Sequence, residues 1–208
     1  FFCNSSSKKT FGRSHAGRRH SRAGLGTKMY AHGHHRTLGH RVRRFRPRGS
    51  RLAQSAILAL VDSDTVWDNQ IRDILLTPFA NEKVGGVTCR QAVLSPTTPA
   101  EKLFNMRFSL RYLHEYPYLM SVGDALTCLS GRTAVYRKTA LLPVLDEMLH
   151  ETFLWKKCIS GEDKRLTSLI MRNGWLVRCQ QNAPVRTQGM SELGQFFRQN
   201  LRWSRNSW

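Results

Sequence analysis

The run Ile57-Leu58-Ala59-Leu60-Val61 is apolar at every position and stops at Asp62, with Ser63 and Asp64 directly behind it. A strand with no polar face must be covered on both sides, as in the middle layer of an α/β protein. In open α/β sheets ligands bind beyond the carboxyl ends of the strands. The same short segment therefore predicts a buried strand and a polar site at its end. The pattern continues downstream. Residues 66–80 predict a helix, with Val66, Ile71, Ile74, Leu75 and Phe79 available to one face. Residues 84–89 predict the next strand and 97–120 a long aromatic, amphipathic helix. Residues 123–136 are punctuated by Gly and Ser and predict a segment lining a site. Helices are predicted over 139–149 and 163–173, a strand over 175–179 after the turn Asn173-Gly174, and a basic amphipathic helix over 193–207. Strands alternating with helices predict an α/β sandwich with a largely parallel sheet.

Charge divides the chain at residue 51. Of the 33 Lys and Arg, 14 lie in residues 1–51 with no Asp or Glu; the other 19 face all 14 acids, leaving residues 52–208 a net of only +5. Residues 1–51 show neither helical nor strand periodicity, and so little apolar content does not offset the entropy of ordering. Two readings stand. The segment is a disordered polybasic arm for nucleic acid or acidic lipid, or it is not native to the domain, since Arg/His/Gly-rich text without acids is what a shifted reading frame of GC-rich DNA gives. The five cysteines are odd in number and widely spaced, with no C-x-x-C pair. That pattern suggests neither a disulfide framework nor a zinc site, and a reduced, cytosolic setting fits it best. No apolar run approaches the roughly 20 residues of a membrane span, and no signal peptide is evident.

Three segments carry candidate chemistry. Asp62 and Asp64 offer hard oxygen ligands suited to Mg²⁺ or Mn²⁺ with a diphosphate; alternatively, Asp64 caps a helix beginning at Thr65. In Gly161-Glu162-Asp163-Lys164-Arg165-Leu166-Thr167, Asp163 can act as a general base. Glu162 would orient it or shift its pKa by like charge, and Lys164 and Arg165 would keep it ionised. The plainer alternative is a helix start with acids in its first turn. In Gln199-Asn200-Leu201-Arg202-Trp203, the residues Gln199, Arg202 and Trp203 fall at i, i+3 and i+4 and can share one helical face. Arg suits a pyrophosphate and Trp a sugar ring; a solvated basic helix with a core Trp, touching nucleic acid or a membrane surface, is the alternative. A fourth segment, Cys128-Leu129-Ser130-Gly131-Arg132-Thr133-Ala134-Val135-Tyr136-Arg137, has small residues Ser130 and Gly131 that admit close approach of a substrate or simply make a turn. Cys128 reads as a packed thiol.

The order D-x-D, C-x-S-G-x-x-x-x-Y-R, G-E-D and Q-x-x-R-W resembles the processive glycosyltransferases of family 2: hyaluronan, chitin and cellulose synthases and nodulation-type chitooligosaccharide synthases. The likeness runs from about residue 58 to the end. It implies a nucleotide-sugar-transferase (GT-A-like) α/β fold with a mostly parallel sheet flanked by helices, and a membrane-bound catalytic domain on the cytoplasmic side. It further implies inverting transfer from a UDP-sugar to a growing β-linked polysaccharide, with Mg²⁺ or Mn²⁺. By position, Asp62 and Asp64 would bind metal and donor diphosphate, and Asp163 would be the catalytic base. Gln199, Arg202 and Trp203 would hold acceptor and pyrophosphate, with Glu162, Ser130 and Gly131 in support. Family members also carry a nucleotide-binding strand and a Gly-Lys-Arg stretch before D-x-D, and membrane helices after Q-x-x-R-W. Neither is recognisable here. Residues 52–208 are therefore expected to be a partial catalytic domain, lacking the N-terminal part of the fold and meeting the membrane through segments absent from this chain. Its partners are then a nucleotide-sugar donor and a polysaccharide acceptor rather than nucleic acid. The alternatives from other classes are a basic nucleic-acid-binding protein and an inactive glycosyltransferase remnant.

Overall fold

The computed structural model describes residues 31–34, 47–62, 64–150, 152–153, 156–157 and 161–205. Ser63, Cys3, Cys158, most of the segment 1–51 and the last three residues lie outside the described residues. In chain order the elements are β1 (Ala31–His34), α1 (Pro47–Leu52), β2 (Ile57–Asp62), β3 (Thr65–Val66) and α2 (Ile71–Leu76) with a 3₁₀ turn (Thr77–Ala80). Then come β4 (Val84–Val93), α3 (Pro99–Ser109), a π-helical turn (Leu110–Glu115), α4 (Tyr116–Gly123), β5 (Thr133–Arg137) and α5 (Lys138–His150). A two-stranded ribbon of β6 (Thr152–Phe153) and β7 (Lys156–Lys157), α6 (Glu162–Arg172), β8 (Leu176–Thr187) and α7 (Leu193–Arg205) complete the set.

The main sheet has the order β1-β2-β5-β4-β8-β3. Pairings β1/β2 and β4/β8 are parallel, whereas β5 is antiparallel to both β2 and β4. Four strands thus share one direction, and β5 and the two-residue β3 run against it, so the expected α/β sheet is mixed. β5 was hidden in the sequence because Thr133-Ala134-Val135-Tyr136 is short and follows a Gly/Ser turn; buried on both faces, it shows no alternation. β8 runs eight residues beyond the predicted strand, since β4 stays paired with it past a bulge between Cys89 and Gln91. The predicted helix 66–80 begins only at Ile71, because Thr65 and Val66 pair with Thr187 and Arg186. That pairing also removes the reading of Asp64 as a helix cap.

Two apolar layers cover the sheet. The smaller gathers Ile57, Ala59, Val87, Cys89, Val135 and Val185 under Ile71 and Leu75 of α2. The larger packs Leu58, Leu129, Tyr136 and Val177 against α3 to α6. Within α6, Leu166, Leu169 and Ile170 are fully buried, each worth roughly 1.5–3 kcal/mol. Phe104, Phe108, Tyr112 and Tyr116, four residues apart, form a line of ring contacts with centroids 4.5, 6.1 and 5.1 Å apart. A regular α-helix would swing each successive ring by about 40°. The wider π turn takes back part of that drift and keeps the rings on one side. α3 itself opens with a capping box: Glu101 N–H donates to the Thr98 hydroxyl at 3.2 Å, and the Glu101 carboxylate accepts from Thr98 N–H at 2.9 Å.

Candidate functional site

The site is built around the turn 128–132 between α4 and β5, and α6 is what fixes it. Asp163 and Thr167 stand one helical turn apart on α6, about 6 Å along its axis. Two residues of extended chain span about 6.6 Å. The helix can therefore meet alternate amides of an extended segment, and it does. Leu129 N–H donates to the Thr167 hydroxyl at 2.8 Å, and Gly131 N–H donates to Asp163 Oδ2 at 2.9 Å. Thr167 in turn donates to the Asp163 carbonyl at 2.6 Å. From the other side, the Tyr116 hydroxyl donates to the Cys128 carbonyl at 2.7 Å. Gly131 is required here by space: a Cβ would lie 3.0 Å from Asp163 Oδ2 and 3.2 Å from Oδ1. Gly161, which starts α6, has φ +88, a left-handed conformation that favours glycine. No side chain caps α6, so the Asp163 carboxylate faces the turn rather than its own helix end.

β2 delivers the second carboxylate. Asp62 N–H donates to the Arg132 carbonyl at 3.4 Å, which sets the end of β2 against the same turn. Beyond it the chain crosses over: Trp67 Nε1–H donates to the Thr133 hydroxyl at 2.9 Å. Asp62 and Asp163 come close enough to interact electrostatically across the turn. Burial among protein atoms pushes the Asp163 carboxyl up from 3.8 to about 6; the Gly131 amide pulls it down, the Asp62 charge raises it further and Arg132 lowers it. Asp163 is nonetheless an exposed residue. Protein crowds its carboxyl while the mouth of the cleft stays open to water. Asp64 follows Asp62 on the crossover, half-buried, with no hydrogen bond or ion pair among the described residues.

The residues around Asp163 make contacts of their own. Lys164 Nζ donates to the Trp203 carbonyl at 3.0 Å, and Arg165 pairs with Glu147 of α5 at 3.2 Å. Arg132 favours the charged Asp163, and the Asp62 charge opposes it. Glu162 is half-buried at the first position of α6, and Ser130 and Gly131 line the turn as expected. Burial raises the Cys128 thiol pKa, and Cys128 is a packed free thiol, as are Cys89 and Cys179.

α7 closes one side. The Trp203 ring stacks on Phe104 at 5.8 Å with a 24° interplanar angle, and the Arg132 and Arg107 guanidinium carbons lie 5.5 and 5.8 Å from its centroid. The shared helical face is split. Gln199 and Trp203 are half-buried, whereas Arg202 is exposed and bonded to no described group. The structure thus brings Asp62, Asp163, Ser130 and Gly131 to one turn, with Trp203 tied to it through Arg132. Arg132 is the site residue that sequence reasoning missed. Its surroundings come from three distant segments, and no local spacing announces them. A cavity of about 400 Å³ beside Ser55, Arg137 and Lys138 lies at the opposite, amino end of β2 and contains none of the predicted site residues.

An α/β layer with carboxylates gathered at the end of a central strand is the arrangement of a ligand-binding or transferase domain. The model of glycosyltransferase like family 2 matches residues 15–206, and the chain belongs to that family. An N-acetylglucosaminyltransferase of Azorhizobium caulinodans is 32% identical over 149 residues, 71% of this chain and 37% of its own length. Hyaluronan synthase 3 of Xenopus laevis is 26% identical over 155 residues, 73% of this chain and 27% of its own. The chain thus spans about a third of the length of the curated relatives it matches. Among solved structures, the mannosyltransferase PcManGT of Pyrobaculum calidifontis, in complex with GDP-Man and Mn²⁺, aligns with 79% of this chain and 41% of its own, at 15% identity and a TM-score of 0.49.

Proposed function

We propose that the domain transfers a sugar, with inversion and dependent on a divalent metal, from a UDP-sugar to the growing end of a β-linked polysaccharide. The reaction takes place at the cytoplasmic face of the cell membrane. The observation that carries this reading is the convergence of Asp62 and Asp163 on the turn 130–132. The names of the relatives, an N-acetylglucosaminyltransferase and a hyaluronan synthase, support the substrate class.

Asp163 is the base. The acceptor hydroxyl gives its proton to the Asp163 carboxylate as its oxygen bonds to the anomeric carbon, and the bond from that carbon to the diphosphate oxygen breaks. With a pKa of about 6, the carboxylate is charged at neutral pH yet a better base than an ordinary aspartate. The Gly131 amide aims it, and the turn leaves room for a sugar ring beside it. The donor set fits Mg²⁺ or Mn²⁺ on two counts. Asp62 and Asp64 are hard oxygen ligands, and a cation beside Asp62 would offset its repulsion of Asp163. No group of three or more metal-ligating side chains occurs among the described residues, so donor phosphates and water would complete the shell, as is usual for Mg²⁺. When bound, the ion would neutralise charge developing on the leaving diphosphate. Trp203 and Gln199 would border the acceptor, and Arg202 would reach in for the pyrophosphate when substrate is present.

α7 supports the membrane assignment. Leu193, Phe197 and Leu201 are exposed at 46, 63 and 53% on one stripe, flanked by Arg198 and Arg202, the make-up of a helix lying in a lipid interface. No helix among the described residues is long and apolar enough to cross a membrane, so anchoring would come from other segments of a longer protein. The test is UDP release from UDP-N-acetylglucosamine, UDP-glucose and UDP-glucuronate, with Mn²⁺ or Mg²⁺, by membranes carrying the protein. Metal-dependent release is expected, and undiminished release by Asp163→Asn would end the assignment of the base.

A further inference from the structure

We infer that Arg132 is a positioning residue for the transfer reaction, holding Trp203 of α7 over the cleft and the turn 130–132 beneath it. The inference rests on the function proposed above.

Its geometry is unusual for an arginine. The guanidinium carbon lies 5.6 Å from the Phe104 centroid, 5.1 Å from Phe108 and 5.5 Å from Trp203. Two of these rings belong to α3 and one to α7, so the cation is gripped by two separate elements. Among the described residues no carboxylate lies within ion-pair distance of Arg132, although its charge acts on Asp163 from further off, and its buried Nε–H meets no acceptor. Its guanidinium is seated on ring faces rather than in a close ion pair.

The backbone of the same residue serves both carboxylates. The Arg132 carbonyl accepts from Asp62 N–H, and the preceding residue, Gly131, donates to Asp163. The side chain grips α7 while the main chain holds the two acids. A second tie runs alongside: Lys164, the neighbour of Asp163, binds the Trp203 carbonyl. Movement of α7 is thereby transmitted to the turn, and Arg132 is the part that touches both. Lysine cannot replace it, because an ammonium lacks the flat face that lies against three rings.

The experiment has two arms on the membrane-bound protein. In the first, Arg132→Met is expected to lower kcat about tenfold with KM for the UDP-sugar within about twofold, the signature of lost positioning rather than lost donor binding. Trp203→Leu should cost a similar factor. If the two side chains act as a unit, the double variant is no slower than the slower single. Losses that multiply, or an Arg132→Met enzyme of full kcat, would overturn the inference. In the second arm, acrylamide quenching of Trp203 is read as the difference in emission between each protein and its Trp203→Phe counterpart. Quenching should rise about twofold in Arg132→Met as α7 loosens (an order-of-magnitude expectation for a ring released from cation–π contacts); no rise rejects the seat. Should Arg132→Met fail to fold, Arg132→Lys takes its place in both arms, with a loss of about threefold expected and wild-type behaviour overturning the claim. Absence of any sugar transfer by the wild type, with quenching responding as expected, rejects the proposed reaction and leaves the seat standing.

Discussion

The two walls of the cleft are held in different ways. On the α6 wall, direct hydrogen bonds fix Leu129 and Gly131 to Thr167 and Asp163, backed by Leu166, Leu169 and Ile170 in the core. On the α7 wall, ring contacts hold the helix: Trp203 stacked on Phe104 and flanked by Arg107 and Arg132, Phe196 edge-on to Phe104, with the Lys164 bond to the Trp203 carbonyl beside them, while Phe197 and Leu201 face outward. For the proposed reaction, hydrogen bonds of fixed length would suit the wall where the proton moves, and a seat of ring faces, which tolerates sliding, would suit the wall along which the acceptor passes.

The largest effect should come from the rigid wall. Asp163→Asn is expected to lower kcat by about 10²–10⁴, measured as UDP release, with donor binding retained. In the parent enzyme kcat should fall in acid as the carboxylate takes up its proton, and a cation beside Asp62, by offsetting its charge, should move that fall below pH 6. The upward shift itself has a stability consequence. Because the folded value lies above the ordinary 3.8, this group favours the fold below about pH 4 and loses that contribution as pH rises through about 6. Asp163→Asn should therefore raise stability near pH 7.5 by about 1 kcal/mol, after discounting for the open cleft, and have little effect near pH 4. Thermal melts at the two pH values check the sign.

Gly131→Ala comes next. Its methyl would push the Asp163 carboxylate back by a few tenths of an ångström; since misplacement of a catalytic group by 1 Å can cost about 10²-fold, a loss of roughly threefold to tenfold in kcat is expected, with the melting temperature little changed. Thr167→Val removes the acceptor for the Leu129 amide, leaving a buried N–H unpaired at a cost of about 1–3 kcal/mol. A melting temperature lowered by several degrees would bear this out, and an unchanged one would show that the turn is held elsewhere. The smallest effect should be on the soft wall. Arg202→Ala is expected to change stability by less than about 0.5 kcal/mol, as for other exposed residues. A matching absence of change in KM for the UDP-sugar would remove Arg202 from pyrophosphate binding.

Much of this was legible in the sequence, for identifiable reasons. β2 announced itself because a strand covered on both faces is apolar throughout. α6 and α7 were readable because each packs one face and leaves the other wet. β5 and the far half of β8 were not. Their partners β2 and β4 decide them: β8 is carried across the bulge at Gln181 and Asn182 by the pairing of Val185, Arg186 and Thr187 with β4. In the site, Asp62 and Asp163 could be named from their motifs, but the direction of their side chains could not. That Asp163 turns toward Gly131, and that Arg132 acts on its charge, depends on contacts between residues some 30 apart in sequence.

The π turn at Leu110–Glu115 carries a final consequence. Each residue added to or removed from a helix rotates the remainder of that helix by about 100°. Inserting one residue between that turn and Tyr116, with the π turn kept, would swing Tyr116 off the Cys128 carbonyl that it holds from 2.7 Å. An insertion that leaves every named motif intact would then release the turn beside Asp163 from its far side. The length of this helix, counted in single residues, is as much a part of the active cleft as the acids within it.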